Sequence, residues 1–177
     1  MKIVVLKFGG TSVGTIEKIK KVTDIIIEHK KKKNKVIVVS SAMSGVTNDL
    51  IKKSKQISNN FIDSEYDVLV SSGEQVACSL IAGRLNHKGF KSRSWLGWQI
   101  PIFTNGPYTN SRIQLVNKNK LLRFLKEGGI PIITGFQGVN MNERVTTIGR
   151  GGSDASAIMI AKSFKAQRCI IYTDVEG

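Results

Sequence analysis

A lysine, a glycine pair and two hydroxyls in close succession, Lys7-Phe8-Gly9-Gly10-Thr11-Ser12, form a combination suited to holding phosphate. Glycine lets the backbone approach an anion closely. A helix starting behind it offers free N–H groups and the positive end of a dipole, and the lysine adds a full charge. The order differs from the Walker loop, in which the lysine follows the glycines; here it precedes them, at the end of the apolar run Ile3–Leu6. A tight strand-to-helix turn explains such a glycine pair equally well.

Four further stretches could do chemistry. Gly149-Arg150-Gly151-Gly152-Ser153-Asp154 combines an arginine, suited to bidentate binding of a carboxylate, with glycines that admit close approach. Helix capping accounts for Ser153 and Asp154 but not for the Gly-Arg-Gly-Gly run. Ser40–Asn48 places small and hydroxylic residues, Ser41 and Thr47 among them, after an apolar run, either as donors to an anion or as an ordinary capped loop. Glu74, in Ser71-Ser72-Gly73-Glu74-Gln75, serves either as a favourable first-turn acid or as a receiver for an ammonium. Thr173-Asp174 ends the last apolar run, where a ligand contact and a plain turn are both consistent.

The elements that must position these residues alternate. Continuous apolar runs at Ile3–Phe8, Val36–Val39 and Ile130–Thr134 read as buried strands, and Arg168–Tyr172 as the last strand. Lys91–Trp95 and Arg112–Val116 read as further strands, with Gly97–Pro107 irregular. Thr15 caps a helix whose apolar positions are Ile16, Ile19, Val22 and Ile26. Helices are also expected over Asp49–Ile57, over Tyr66–Asn86 with Val70, Ala77, Leu80, Ile81 and Leu85 inward, over Asn117–Lys126, and from a Ser153 cap to about Lys165. Asn59–Ser64 reads as a loop, and Gly135–Gly152 as a glycine-rich loop or hairpin. Buried strands separated by helices indicate an α/β chain with a mainly parallel sheet covered on both faces. Ligands of such sheets collect at the carboxyl ends of the strands, where all the stretches above fall except that of Glu74.

The 177 residues suffice for one domain with a core, and no domain boundary or repeat is evident. No run reaches the ~18 apolar residues of a membrane span, and the short N-terminal apolar run lacks a cleavage site; a cytoplasmic protein with no membrane partner is expected. Cys78 and Cys169 read as buried thiols, and His29 and His87 as solvated residues at helix ends. No cluster suggests a metal site. The net charge of +14 is spread out apart from Lys30–Lys33, and no aromatic residues accompany that run as a stacking platform would require, so nucleic acid is not the expected partner.

Taken in order, Lys7–Val13, Val39–Asn48, Ser72-Gly73-Glu74, Gly135–Gly138, Thr146–Asp154 and Tyr172–Gly177 resemble the aspartate kinases of the amino-acid kinase superfamily, along the whole chain. Acetylglutamate, glutamate and uridylate kinases share the glycine-rich start without this combination. The resemblance implies a three-layer α/β/α sandwich. It implies ATP-dependent phosphorylation of the β-carboxylate of L-aspartate to 4-phospho-L-aspartate, the first step toward lysine, threonine and methionine. Lys7 and Asp154 would be catalytic, Asp154 orienting Lys7. Lys7, Gly9, Gly10, Ser12, Ser41, Thr173 and Asp174 would bind ATP, which brings Mg²⁺ without a dedicated protein cage. Arg150 would clamp the α-carboxylate of aspartate and Glu74 receive its ammonium, with Thr47, Phe136, Gly151 and Ser153 completing that pocket. Members of the family continue past the final turn, so residues 1–177 are expected to be the N-terminal, aspartate-binding part of a kinase domain, C-terminally incomplete. The remaining nucleotide-binding half and the ACT domains would be missing, and the isolated chain would turn over little. The full-length parent would be a homo-oligomer. Two alternatives are a superfamily kinase with another acyl substrate and a basic module binding nucleic acid through Lys30–Lys33.

Overall fold

Two sheets organise the chain in the computed structural model, which describes residues 2–149 and 151–173. The larger is wholly parallel and runs β3 (Ser92–Trp95), β6 (Ile130–Thr134), β2 (Lys35–Ser40), β1 (Ile3–Phe8), β9 (Arg168–Tyr172). All residues of β1 and β6 are buried, which is why these strands read as unbroken apolar runs rather than alternating ones.

Alternation along β1 sends its side chains into two cores. Val4, Leu6 and Phe8 meet Ile19, Val22 and Ile26 of α1 (Ile16–Lys31) and Ala77, Ile81 and Leu85 of α3 (Asp63–His87). Ile3 and Val5 face the other way, with Leu121 and Leu125 of α4 (Asn119–Lys126) and Ala157 and Ile160 of α5 (Gly152–Ser163). Burying each such aliphatic side chain contributes about 1.5–3 kcal/mol. The result is the α/β/α sandwich. Helix α2 (Val46–Ile57) packs on α3.

The second sheet, ordered β5 (Arg112–Val116), β4 (Ile102–Asn105), β7 (Gln137–Val139), β8 (Val145–Thr147), is mostly antiparallel. It corrects the reading of Gly97–Pro107 as irregular: β4 is four residues long, sits between prolines and carries a register shift at Phe103/Thr104, so its period-2 signal is faint.

Other boundaries move for identifiable reasons. Helix α2 starts at Val46, not Asp49, behind a left-handed Gly45. Helix α3 starts at Asp63, inside the expected loop. Helix α4 starts at Asn119 because Asn117 Oδ1 accepts from the Asn119 N–H at 3.2 Å in an Asx turn. Helix α5 is capped by a left-handed Gly151 rather than by Ser153, which lies in its first turn, and it stops at Ser163. Thr15 caps α1 as expected, accepting from the Lys18 N–H at 3.2 Å.

Five side chains depart from the sequence reading. Ile16 and Leu80 are exposed. Cys169 is exposed on edge strand β9, whereas Cys78 is buried. His29 is half-buried and its Nε2 lies 3.0 Å from the Tyr172 hydroxyl, so it is not a solvated cap; burial and neighbouring Lys32 lower its pKa. Lys30 is likewise half-buried and donates to the Gly128 carbonyl at 2.8 Å, which removes it from any free basic run.

Candidate active site

Lys7 is the next side chain after Ile3 and Val5 on the α5 face of β1. Flanked by Val39 and Ile171 on the adjoining strands, it is only 7% exposed. Its Nζ lies 2.6 Å from Oδ1 of Asp154 in the first turn of α5. A buried ammonium thus gains a carboxylate partner at the rim of a cleft of about 340 Å³ at the carboxyl ends of the strands.

Three loops build the other walls. The loop after β2 brings Ser41 and Ala42, and the start of α2 brings Thr47. From the loop after β6 comes Phe136, held at a left-handed φ of 66°. Its N–H donates to Ser156 Oγ at 3.2 Å and its carbonyl accepts from the Ile148 N–H at 2.9 Å, so α5 and the segment after β8 together enforce a conformation costing about 1–2 kcal/mol for a residue with a side chain. That segment contributes Gly149, Gly151 and Ser153. Helices α2 and α5 both begin at the cleft, so two sets of first-turn N–H groups and two dipole ends favour an anion there.

Glu74 is the opposing electrostatic element. It comes from the middle of α3, is 3% exposed and lines the same cleft. Its Oε1 accepts from the Ala42 N–H at 3.2 Å, while Oε2 has no hydrogen-bond partner among the described residues. Burial pushes its carboxyl up to about 7, opposed by the backbone hydrogen bonds it accepts. Gly73 makes this placement possible: a Cβ there would stand 2.9 Å from Ala42 Cβ, so α3 lies directly against the loop.

The cleft therefore gathers Lys7, Gly10, Ser41, Thr47, Glu74 and Phe136 with Gly151, Ser153 and Asp154. Gly9 and Ser12 lie to one side of it. The Gly9 N–H donates to the Tyr172 carbonyl at 3.3 Å. Ser12 and Thr173 line a separate cavity of about 300 Å³ between α1 and Tyr172, whose ring stacks on Phe8 at 4.8 Å. Arg150 and Asp174 lie outside the described residues. Among the described residues no group of three His, Cys, Asp or Glu could hold a metal ion, and no helix is long and apolar enough to cross a membrane.

The sequence reading does not single out Asp67, although it is a fully buried carboxylate on the same helix as Glu74. The available signal is an acid set between Tyr66 and the apolar Val68-Leu69-Val70 within a helical stretch. Ala42 is missed as well, because its contribution is a backbone N–H.

The family model described as "Amino acid kinase family" matches residues 2–177. The aspartokinase of Rickettsia conorii is 48% identical over 180 residues, covering 100% of this chain and 45% of the relative. That of Geobacillus stearothermophilus is 48% identical over 177 residues, again covering 100% of this chain and 44% of the relative. The chain thus spans less than half the length of these curated relatives. Among solved structures, E. coli aspartokinase III in complex with aspartate and ADP superposes with a TM-score of 0.88 at 26% identity, over 99% of this chain and 50% of that one. Aspartate kinase from Synechocystis superposes with a TM-score of 0.84 at 39% identity, over 98% of this chain and 29% of that one.

Proposed function

This chain belongs to the amino acid kinase family, and on that premise we propose that it carries the acyl-acceptor side of an ATP-dependent aspartate kinase. The observation that carries the reading is Glu74. A carboxylate with a free oxygen, buried in a cleft otherwise arranged for anions, suits an acceptor bearing both an ammonium and carboxylates. An N-acylated amino acid has no ammonium and would leave this carboxylate uncompensated. The similarity to aspartokinases along the whole chain, and to a solved aspartokinase that binds aspartate and ADP, supports the same substrate pair.

In this reading the α-ammonium meets Glu74 and the α-carboxylate meets Arg150 and the glycine segment, with Thr47, Phe136 and Ser153 closing the pocket. The β-carboxylate is already ionised at neutral pH and needs no general base. One of its oxygens attacks the γ-phosphorus as the bond to ADP breaks. What the protein supplies is alignment of two anions and stabilisation of the charge on the moving phosphoryl group. Lys7 is placed for that task and Asp154 orients it. Gly9, Gly10, Ser12, Ser41, Thr173 and Asp174 would contact the nucleotide. The donor set at the cleft, with one carboxylate paired to Lys7 and the other facing an ammonium, suits a Mg²⁺ that arrives on the phosphates rather than one held in a cage. Both substrates are cytoplasmic solutes, which accords with a cytoplasmic protein.

The test is ATP-dependent acyl phosphate formation by the intact protein, trapped as the hydroxamate, with L-aspartate and N-acetyl-L-glutamate compared. Product from aspartate alone is expected; product from N-acetyl-L-glutamate alone would overturn the assignment.

A further inference from the structure

Asp67 makes no ion pair among the described residues, yet it is 0% exposed and saturated with donors. Both its oxygens accept from the Thr109 N–H, at 3.1 and 3.0 Å. Oδ2 also accepts from the Thr147 N–H at 2.8 Å, and Oδ1 from the Thr147 hydroxyl at 2.7 Å. A carboxylate removed from water is tolerated only when hydrogen bonds replace its hydration, and here four contacts from three donor groups do so. Each of the four comes from the second sheet or from the loop between β4 and β5, and none from α3 itself.

The residues Asp67 grips flank the substrate-facing glycine segment. Thr147 ends β8, two residues before Gly149. Thr109 precedes Asn110, and a Cβ on Gly149, whose φ is +69°, would stand 2.9 Å from Asn110 Oδ1. Gly149, two residues past Thr147, therefore lies directly against the Thr109–Asn110 segment that the same carboxylate holds. The Ser111 N–H donates to the Thr147 carbonyl at 2.9 Å and ties those segments to each other. Asp67 and Glu74 lie seven residues apart on α3, two helical turns, which places them on one face about 10 Å apart. Between them the Ser71 carbonyl accepts from Gln137 Nε2 at 2.9 Å, next to Phe136.

We propose that Asp67 is a positioning residue for substrate specificity: it fixes the glycine segment that takes the α-carboxylate at a set distance from Glu74, which takes the α-ammonium, with α3 as the common ruler. The inference rests on the aspartate reading above. A merely structural Asp67 would weaken every ligand of the cleft alike; a ruler discriminates between ligands that span both points and those that engage only one.

The experiment is calorimetric titration of the intact protein with L-aspartate and with β-alanine, which keeps the ammonium and the distal carboxylate but lacks the α-carboxylate. Asp67→Asn is expected to weaken L-aspartate by about 10–100-fold, the scale of an ångström-level misplacement, while leaving β-alanine within about twofold. Thr147→Val, which removes only the hydroxyl donor, is expected to shift the same ratio in the same direction, and Thr147→Ser to restore it. The Thr147 pair carries the test by itself if Asp67→Asn does not fold. Equal weakening of both ligands, or no change in either, overturns the positioning role while the aspartate reading stands. Failure of the unaltered protein to bind L-aspartate overturns both.

Discussion

Lys7 Nζ and Asp154 Oδ1 meet at 2.6 Å near the carboxyl end of β1, where α5, the last described helix, begins. Asp154 is 45% exposed and Lys7 9% exposed at the side chain, so the pair spans the boundary between core and cleft. Its consequence is a cation fixed at the point where two anionic reactants would meet. Lys7→Met is expected to lower phosphoryl transfer by about 10²–10³-fold, the magnitude typical of losing one preorganised electrostatic contact. L-aspartate affinity should be little changed. Steady-state kinetics with a parallel aspartate titration checks this; an unchanged kcat would remove Lys7 from the chemistry.

Asp154→Asn keeps the shape of the first turn of α5 but withdraws the charge that orients Lys7. The expected result is a smaller fall in kcat than for Lys7→Met, with KM for aspartate within about twofold. A double mutant no worse than Lys7→Met alone would show that Asp154 acts through Lys7.

If Glu74 receives the ammonium as proposed, it sets the pH dependence of substrate binding. Its carboxyl is raised to about 7 in the unliganded cleft, and an ammonium prefers the ionised form. L-aspartate affinity should therefore be full above pH 7 and fall as pH drops below it, by up to about tenfold per unit. Binding near pH 6.5 should release a proton, seen as a dependence of the calorimetric heat on the ionisation enthalpy of the buffer. A pH-independent affinity between 5.5 and 8 would contradict the role given to Glu74.

The same shift has a stability consequence of defined sign. The folded state holds the Glu74 proton more tightly than the unfolded chain, whose carboxyl titrates near 4.5. The cost of ionising it is absent below about pH 4.5, grows as pH rises toward 7, and is fully present above that, at roughly 3 kcal/mol. Glu74→Gln should accordingly raise Tm at pH 8 relative to the unaltered protein and lose that advantage at pH 4.5, while binding aspartate poorly. Melting curves at the two pH values decide the matter.

Gly73→Ala probes the packing that delivers Glu74 to the cleft. In the middle of α3 alanine is favoured over glycine by about 1 kcal/mol. The new methyl would lie 2.9 Å from Ala42 Cβ, and overpacking typically costs about 1–3 kcal/mol. A net loss of stability together with weaker aspartate binding is expected; a stabilised variant with normal affinity would show that α3 and the loop after β2 can separate freely.

The large parallel sheet was readable because β1, β2 and β6 are buried on both faces and so write themselves as Ile3–Phe8, Val36–Val39 and Ile130–Thr134. The small sheet was not, because β4, β7 and β8 are three or four residues long and their register depends on contacts far along the chain, such as Phe103 opposite Val139. Among the cleft residues, Lys7, Gly10 and Gly151 stood out from type and position in glycine-rich turns, whereas Phe136 followed only from the family resemblance and Asp154, by itself, read as a helix cap. Glu74 was legible only as an acid beside a glycine: that it lies mid-helix, buried, with an unpartnered oxygen emerges only when α3 docks on the loop after β2. Asp67 has no motif around it: its partners are two backbone N–H groups, whose identity sequence does not record, and the hydroxyl of Thr147, eighty residues away.

The most direct test of the account is the binding of L-aspartate to the protein and to Glu74→Gln, with N-acetyl-L-aspartate as the ligand lacking an ammonium. The account expects L-aspartate to bind the unaltered protein at pH 8, N-acetyl-L-aspartate to bind at least about tenfold more weakly, and Glu74→Gln to lose that preference. Equal affinity for the two ligands, or an undiminished preference in Glu74→Gln, would contradict it.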